Sequence, residues 1–151
     1  MSFADKYLEK HKCYPDLISD PPLKELNYII VIPAYDEPDV ISSLESLFAC
    51  YRPSKPVEII IVINSSADSQ ENILNQNKKT LKDIKDWLKF RREDKFKVHI
   101  IHIPDIPPKY AGAGMARKIG MDEAIARFNH IENDTGIVLS FDADSVCDQD
   151  Y

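Results

Sequence analysis

The sequence predicts an α/β protein, a mostly parallel Rossmann-like sheet with helices on both faces. Three observations carry this. Short runs of β-branched and aliphatic residues recur four times: "YIIVI" (28–32), "VEIIIVI" (57–63), "KVHIIHI" (97–103) and "GIVLSF" (136–141). Continuous apolar runs of that length mark strands covered on both sides. Each of the first three is followed by a segment with helical spacing of apolar residues. Strand and helix then alternate, and the crossovers this requires make neighbouring strands parallel.

Each element has its own justification. Residues 1–19 read as a peripheral helical arm, with Phe3, Tyr7 and Leu8 placed to dock on the body. "SDPP" (19–22) ends it, because proline rejects helix and constrains the residue before it. Residues 1–22 are thus an arm and linker, and 23–151 one α/β unit. Pro33 and Ala34 end the first strand. Val40, Leu44, Leu47 and Phe48 stripe the helix that follows. The second strand runs into the polar loop "NSSADS". A helix from about Ser69 to Phe90 carries Leu74, Leu81, Ile84 and Leu88, with lysines opposite. The third strand leads into "PDIPPKYAGAG" and then the helix "MARKIGMDEAIARF", whose buried stripe reads Met121, Ala124, Ile125, Phe128.

Composition narrows the function. The 151 residues suit one domain with a hydrophobic core. A hydrophobic fraction of 44% with 29% charged residues excludes disorder and a membrane protein. A net charge of −6 argues against a nucleic-acid surface. Cys13, Cys50 and Cys147 show no pairable or metal-like spacing and read as reduced thiols of a cytoplasmic protein. The polar start "MSFADKYLEKHK" lacks the apolar centre of a signal peptide.

In parallel sheets of this kind ligands bind beyond the carboxyl ends of the strands, where strand order reverses. The segments there are "PAYDE", "NSSAD", "PDIPPKYAGAG" and "DADS". Asp142 and Asp144, on a chain that stays extended, would point the same way. Their repulsion at roughly 4 Å and an effective dielectric near 20 is about 4 kcal/mol. A dication that prefers oxygen, Mg²⁺ or Mn²⁺, would relieve it. The competing reading is a solvated acidic turn, with Asp148 and Asp150 nearby. Tyr35, Asp36 and Glu37 offer a flat ring and acceptors for a base and ribose; alternatively Asp36 caps the next helix. Gly112 and Gly114 precede a helix whose N-terminus could cradle phosphate, although the spacing is not the dinucleotide fingerprint. Arg117 lies one turn before the buried stripe, at the sheet's rim, where a guanidinium needs carboxylate or phosphate partners. His99 and His102 face opposite sides of a strand and cannot share a metal; they, His11 and His130 read as structural. "KFRREDK" (89–95) reads as a solvated helix end and Trp87 as a packing anchor.

"VIPAYDE", "EIIIVINSSAD", "GAGMARKIGMDEA" and "LSFDADS" together resemble, in order and spacing, family 2 glycosyltransferases of the GT-A fold, from Tyr28 to about Ser145. The resemblance implies inverting, metal-dependent transfer of a sugar from a nucleotide-diphosphate sugar, a UDP-sugar, to an acceptor. It implies that Pro33, Ala34, Tyr35 and Glu37 form the nucleotide-binding loop and that Arg117 lies near the donor. Asp142 and Asp144 match the family's D-x-D, which binds ribose and diphosphate through Mn²⁺ or Mg²⁺. Where the family carries two acidic residues after the second strand, this chain has Ile63 and Asn64, so Asn64 becomes the acceptor for the base. Lys118 replaces an asparagine and is placed to add a phosphate contact. The acceptor pocket and catalytic base are expected beyond Tyr151, which leaves this portion a donor site without turnover, and any membrane attachment would lie there too. "VLSFDADSV" also looks like the first motif of haloacid dehalogenase-like phosphatases, with Asp142 as nucleophile and Asp144 as acid/base. A non-catalytic nucleotide-binding or scaffold domain is the remaining alternative.

Overall fold

The computed structural model describes residues 1–91 and 96–151. Most of the charge run at 89–95 lies outside them. The elements are α1 (Asp5–His11), β1 (Tyr28–Ala34), α2 (Val40–Phe48), β2 (Val57–Asn64), α3 (Glu71–Leu88), β3 (Phe96–Ile103), α4 (Ala113–His130) and β4 (Ile137–Ser140). The four strands form one parallel sheet in the order β3-β2-β1-β4. The chain steps outward from β1 to β3, then returns by way of α4 to the far side of β1. Strand order therefore reverses between β1 and β4, and a crevice is expected there at the carboxyl ends. Among the described residues no helix is long and apolar enough to cross a membrane.

Two apolar layers hold the sheet. On one face Ile30, Ile32, Ile59, Ile61 and Ile63 pack under α2 and α3 with Leu44, Leu47 and Ile84; on the other Ile29, Val31, Ile60 and Val62 pack under α4 with Ile119, Ala124 and Phe128. Alternate residues of one run serve opposite layers, so neither face of β1 or β2 is polar, and the buried polar residues of β2 are Glu58 and the terminal Asn64. β4 differs from the expected buried strand. It is an edge strand of four residues, and Ile137 stays 44% exposed. Trp87 packs edge-on against Phe48 at 4.9 Å between centroids, with the Arg91 guanidinium over its ring.

α4 corrects a second expectation. Its buried residues are Ala116, Ile119, Gly120, Asp122, Glu123, Ala124, Arg127 and Phe128, while Met121 and Ile125 are only half-buried. The helix is covered twice, by the sheet on one side and by the amino-terminal arm on the other. The arm is held through polar groups. Tyr7 donates to Asp122 Oδ1 at 2.9 Å. The backbone N–H groups of Leu17 and Ile18 donate to Glu123 Oε1 at 2.9 and 3.2 Å. That of Ala4 donates to Asn129 Oδ1 at 2.9 Å. Beneath the arm, Arg127 pairs with Glu58, which also accepts from the Leu23 N–H at 2.8 Å and faces His99 Nε2 at 3.2 Å. Burial alone would oppose the Glu58 charge. The hydrogen bonds from His99, Arg127 and Leu23 outweigh it and hold the carboxyl at about 2.

Candidate functional site

The crevice originates in one residue. Val31 is the last residue of β1 in register with β4, opposite Ser140, and its carbonyl accepts from Phe141 N–H at 2.9 Å. The next N–H of β1 facing that side belongs to position 33, because residues two apart along a strand point the same way. That residue is Pro33, which has no N–H. On its other side β1 remains paired with β2 as far as Ala34↔Ile63. The β1–β4 ladder therefore stops while β1–β2 continues, and the two strands part at their carboxyl ends. Pro33 and Ala34 are inside β1, two residues beyond the expected strand end, and both are buried. What they can offer a ligand is backbone.

On the β4 side stand Arg117, Asp142 and Asp144. Arg117 Nε donates to Ser140 Oγ at 3.0 Å, and its terminal nitrogen to Asp142 Oδ1 at 3.1 Å. This pair is well exposed, with side chains 39% and 63% accessible, so it contributes about 0–1 kcal/mol and opens readily to an incoming anion. Asp142 and Asp144 do not continue the strand, contrary to the extended geometry expected. The chain turns there, with Ser145 N–H donating to the Asp142 carbonyl at 3.0 Å. Asp142 engages Arg117, whereas the charge of Asp144 is felt by Glu37 across the crevice. Glu37 is raised above its ordinary value, first by burial and then by the charges of Asp144, Asp39 and Asp36.

The turn is held from behind by α2. Ser43, fully buried, donates its hydroxyl to the carbonyl of Ala143, between the two aspartates, at 2.6 Å. Ser46 Oγ accepts from Cys147 N–H at 3.2 Å. Sequence reasoning did not single out these serines. Their signal was position: Ser43 falls between Val40 and Leu47 on the apolar stripe of α2.

On the β2 side the loop after β1 is braced by α3. Asn77 accepts from the Asp36 N–H at 3.0 Å and donates to the Asn64 carbonyl at 2.8 Å; Thr80 donates to the Glu37 carbonyl at 2.8 Å. Asp36 does not cap α2, whose N-cap is Asp39. It adopts φ 52°, a left-handed backbone that aspartate tolerates better than most residues, and thereby turns the loop. Tyr35 is half-buried at the lip. Asn64 is fully buried, donates to the Gly112 carbonyl at 3.0 Å, and has a side-chain oxygen with no partner among the described residues. Gly112, at φ 135°, takes a backbone suited to glycine as the chain enters α4. Lys118 is not available to a phosphate as expected: it donates to Asp122 at 2.5 Å and to the His11 carbonyl at 2.9 Å, clamping the arm.

Arg117 thus pairs with Asp142, and Asp144 acts on Glu37, at the carboxyl ends of β1 and β4, with Asn64 at the end of β2. Among the described residues no cluster of three or more His, Cys, Asp or Glu is arranged to hold a metal. Two carboxylates, supplemented by phosphate and water oxygens, are nevertheless the usual donor set for Mg²⁺. The residues fit a dication shared with a phosphate ligand, not one held by protein alone.

No family model and no curated protein matches the chain. Solved structures do. The fold resembles that of S. aureus TarS. The TarS 1–349 structure superposes with a TM-score of 0.53 at 18% identity, covering 82% of this chain and 29% of that one. The TarS 1–349 complexes with UDP-GlcNAc and with UDP give 0.54 at 18% identity. The chain spans under a third of the length of these TarS structures, and at this identity the likeness is one of fold.

Proposed function

We propose that this chain is the donor-binding part of a metal-dependent, inverting glycosyltransferase that uses a UDP-sugar. The observation that carries the reading is the convergence of Arg117, Asp142, Asp144 and Glu37 at the strand-order reversal of this fold. The likeness to structures of TarS solved with UDP and UDP-GlcNAc supports it. Tyr35 would cover the base and Asn64 would offer it the buried oxygen that now lacks a partner. The backbone of Pro33 and Ala34 forms the floor beneath. Arg117 would exchange Asp142 for phosphate, an anion that its fork can also bind in bidentate fashion. Asp142 and Asp144 would hold Mn²⁺ or Mg²⁺, which when bound neutralises the departing diphosphate. No base is assigned among these residues, and transfer would require an acceptor-side carboxylate from elsewhere.

Calorimetric titration with UDP, with and without Mn²⁺, tests this. Binding is expected with Mn²⁺ and is expected to weaken at least about tenfold, or ~1.4 kcal/mol, with EDTA or in Asp144→Asn. Absence of UDP binding under either condition would leave a scaffold role as the better reading.

A further inference from the structure

Two cysteines far apart in sequence meet behind the acidic turn. Cys50, just past the end of α2, and Cys147, three residues after Asp144, place their Sγ atoms 3.5 Å apart. Both are free thiols. The sequence spacing gave no sign of a pair, because the parallel sheet, not the local chain, brings α2 and the segment after β4 together. The approach is built by several contacts. Cys50 Sγ donates to the Asp148 carbonyl at 3.3 Å, Tyr51 N–H to the Gln149 carbonyl at 2.8 Å, and Cys147 N–H to Ser46 Oγ at 3.2 Å. An open apolar cavity of about 290 Å³ is walled in part by Cys50, Tyr51 and Tyr151, while Cys147 is half-buried outside it.

We propose that Cys50 and Cys147 form an oxidation site that a low-molecular-weight disulfide converts to an intramolecular cystine. The half-buried Cys147 thiolate attacks one sulfur of the disulfide R–S–S–R, forming a mixed disulfide and releasing R–SH. Cys50, after losing its proton to solvent, attacks Cys147 Sγ and displaces the second R–SH. The protein loses two protons and two electrons, and the small disulfide takes them up to become two thiols. Burial, then the neighbouring Cys147, pushes the Cys50 thiol up to about 11, which disfavours its thiolate near neutrality. The sulfurs need to close from 3.5 Å to about 2.05 Å, and Cys147 lies on an irregular segment past β4. The product joins α2 to the chain immediately past Asp142–Ser145. This holds whether or not the crevice binds a nucleotide.

The test uses the whole chain with its exposed third thiol removed, Cys13→Ser, incubated with excess oxidised glutathione at about pH 8.5 so that thiolate attack proceeds. The expected product has lost two hydrogens by intact mass, carries no glutathione, and yields a cross-linked peptide containing Cys50 and Cys147. Its melting temperature rises by roughly 5–15 °C, since a long loop is closed in the unfolded chain. Adding Cys50→Ser should leave one glutathione trapped on Cys147. Persistent glutathione adducts or free thiols in the Cys13→Ser protein at the end point would overturn the proposal. So would a cross-link that lowers the melting temperature, which would mean that it forms only in a distorted chain.

Discussion

Arg117 and Ser43 act on the same turn by different physics. Arg117 reaches it through an exposed pair, so removing the guanidinium changes little in the folded chain. Arg117→Ala should shift stability by less than about 1 kcal/mol in urea titration, yet weaken Mn²⁺–UDP binding about tenfold. Ser43 reaches it through a buried hydroxyl on a backbone carbonyl. Ser43→Ala leaves that carbonyl without its donor, and a buried unsatisfied group costs about 1–3 kcal/mol. The loss should appear in urea titration even without ligand.

At the scale of elements, the close seating of α4 on the sheet puts Arg117 at the crevice. Gly120 makes this possible. A Cβ there would lie 2.3 Å from Val31 Cγ1 and 3.2 Å from Val62 Cγ2, both on central strands. Alanine is the better helix former by about 1 kcal/mol, but overpacking a rigid core costs about 1–3 kcal/mol or more. Gly120→Ala should therefore destabilise, which a lowered urea midpoint would show; a raised midpoint would mean that α4 sits further from the sheet. The strands were legible because β-branched runs have few alternatives to a two-sided sheet. α4 was legible as a helix, but its buried face only in part: Ala124 and Phe128 are buried as expected and Met121 and Ile125 are not, because a helix packed on two sides mixes apolar and buried charged positions and blurs its stripe. Asn77 was legible in principle. It lies on the Leu74–Leu81–Ile84 stripe, where an amide must bond something inside. Asp142 and Asp144 were legible as a pair, but the turn that separates their partners depends on Ser43 and Arg117, both distant in sequence.

At the scale of the whole molecule, the arm, the sheet and α4 are joined through Glu58, Arg127 and His99 at the end of the sheet opposite the crevice. The folded Glu58 carboxyl, at about 2, lies below its ordinary 4.5, so unfolding takes up a proton. Its contribution, on the order of 3 kcal/mol, is present in full above about pH 4.5 and is lost as the pH falls towards 2. Melting temperatures followed from pH 6 to about pH 2.5 should fall steeply across that window. In Glu58→Gln the profile should be flatter from a lower starting point, since Arg127 is then buried without its counter-charge.

The crevice itself is tested most directly by a crystal structure of this chain grown with UDP and Mn²⁺, with manganese located by its anomalous signal. The account predicts an anomalous peak at Asp142 and Asp144, the diphosphate against it beside Arg117, and the uracil between Tyr35 and Asn64. Manganese absent from both aspartates, or UDP seated in the apolar cavity at the opposite ends of the strands, would contradict it.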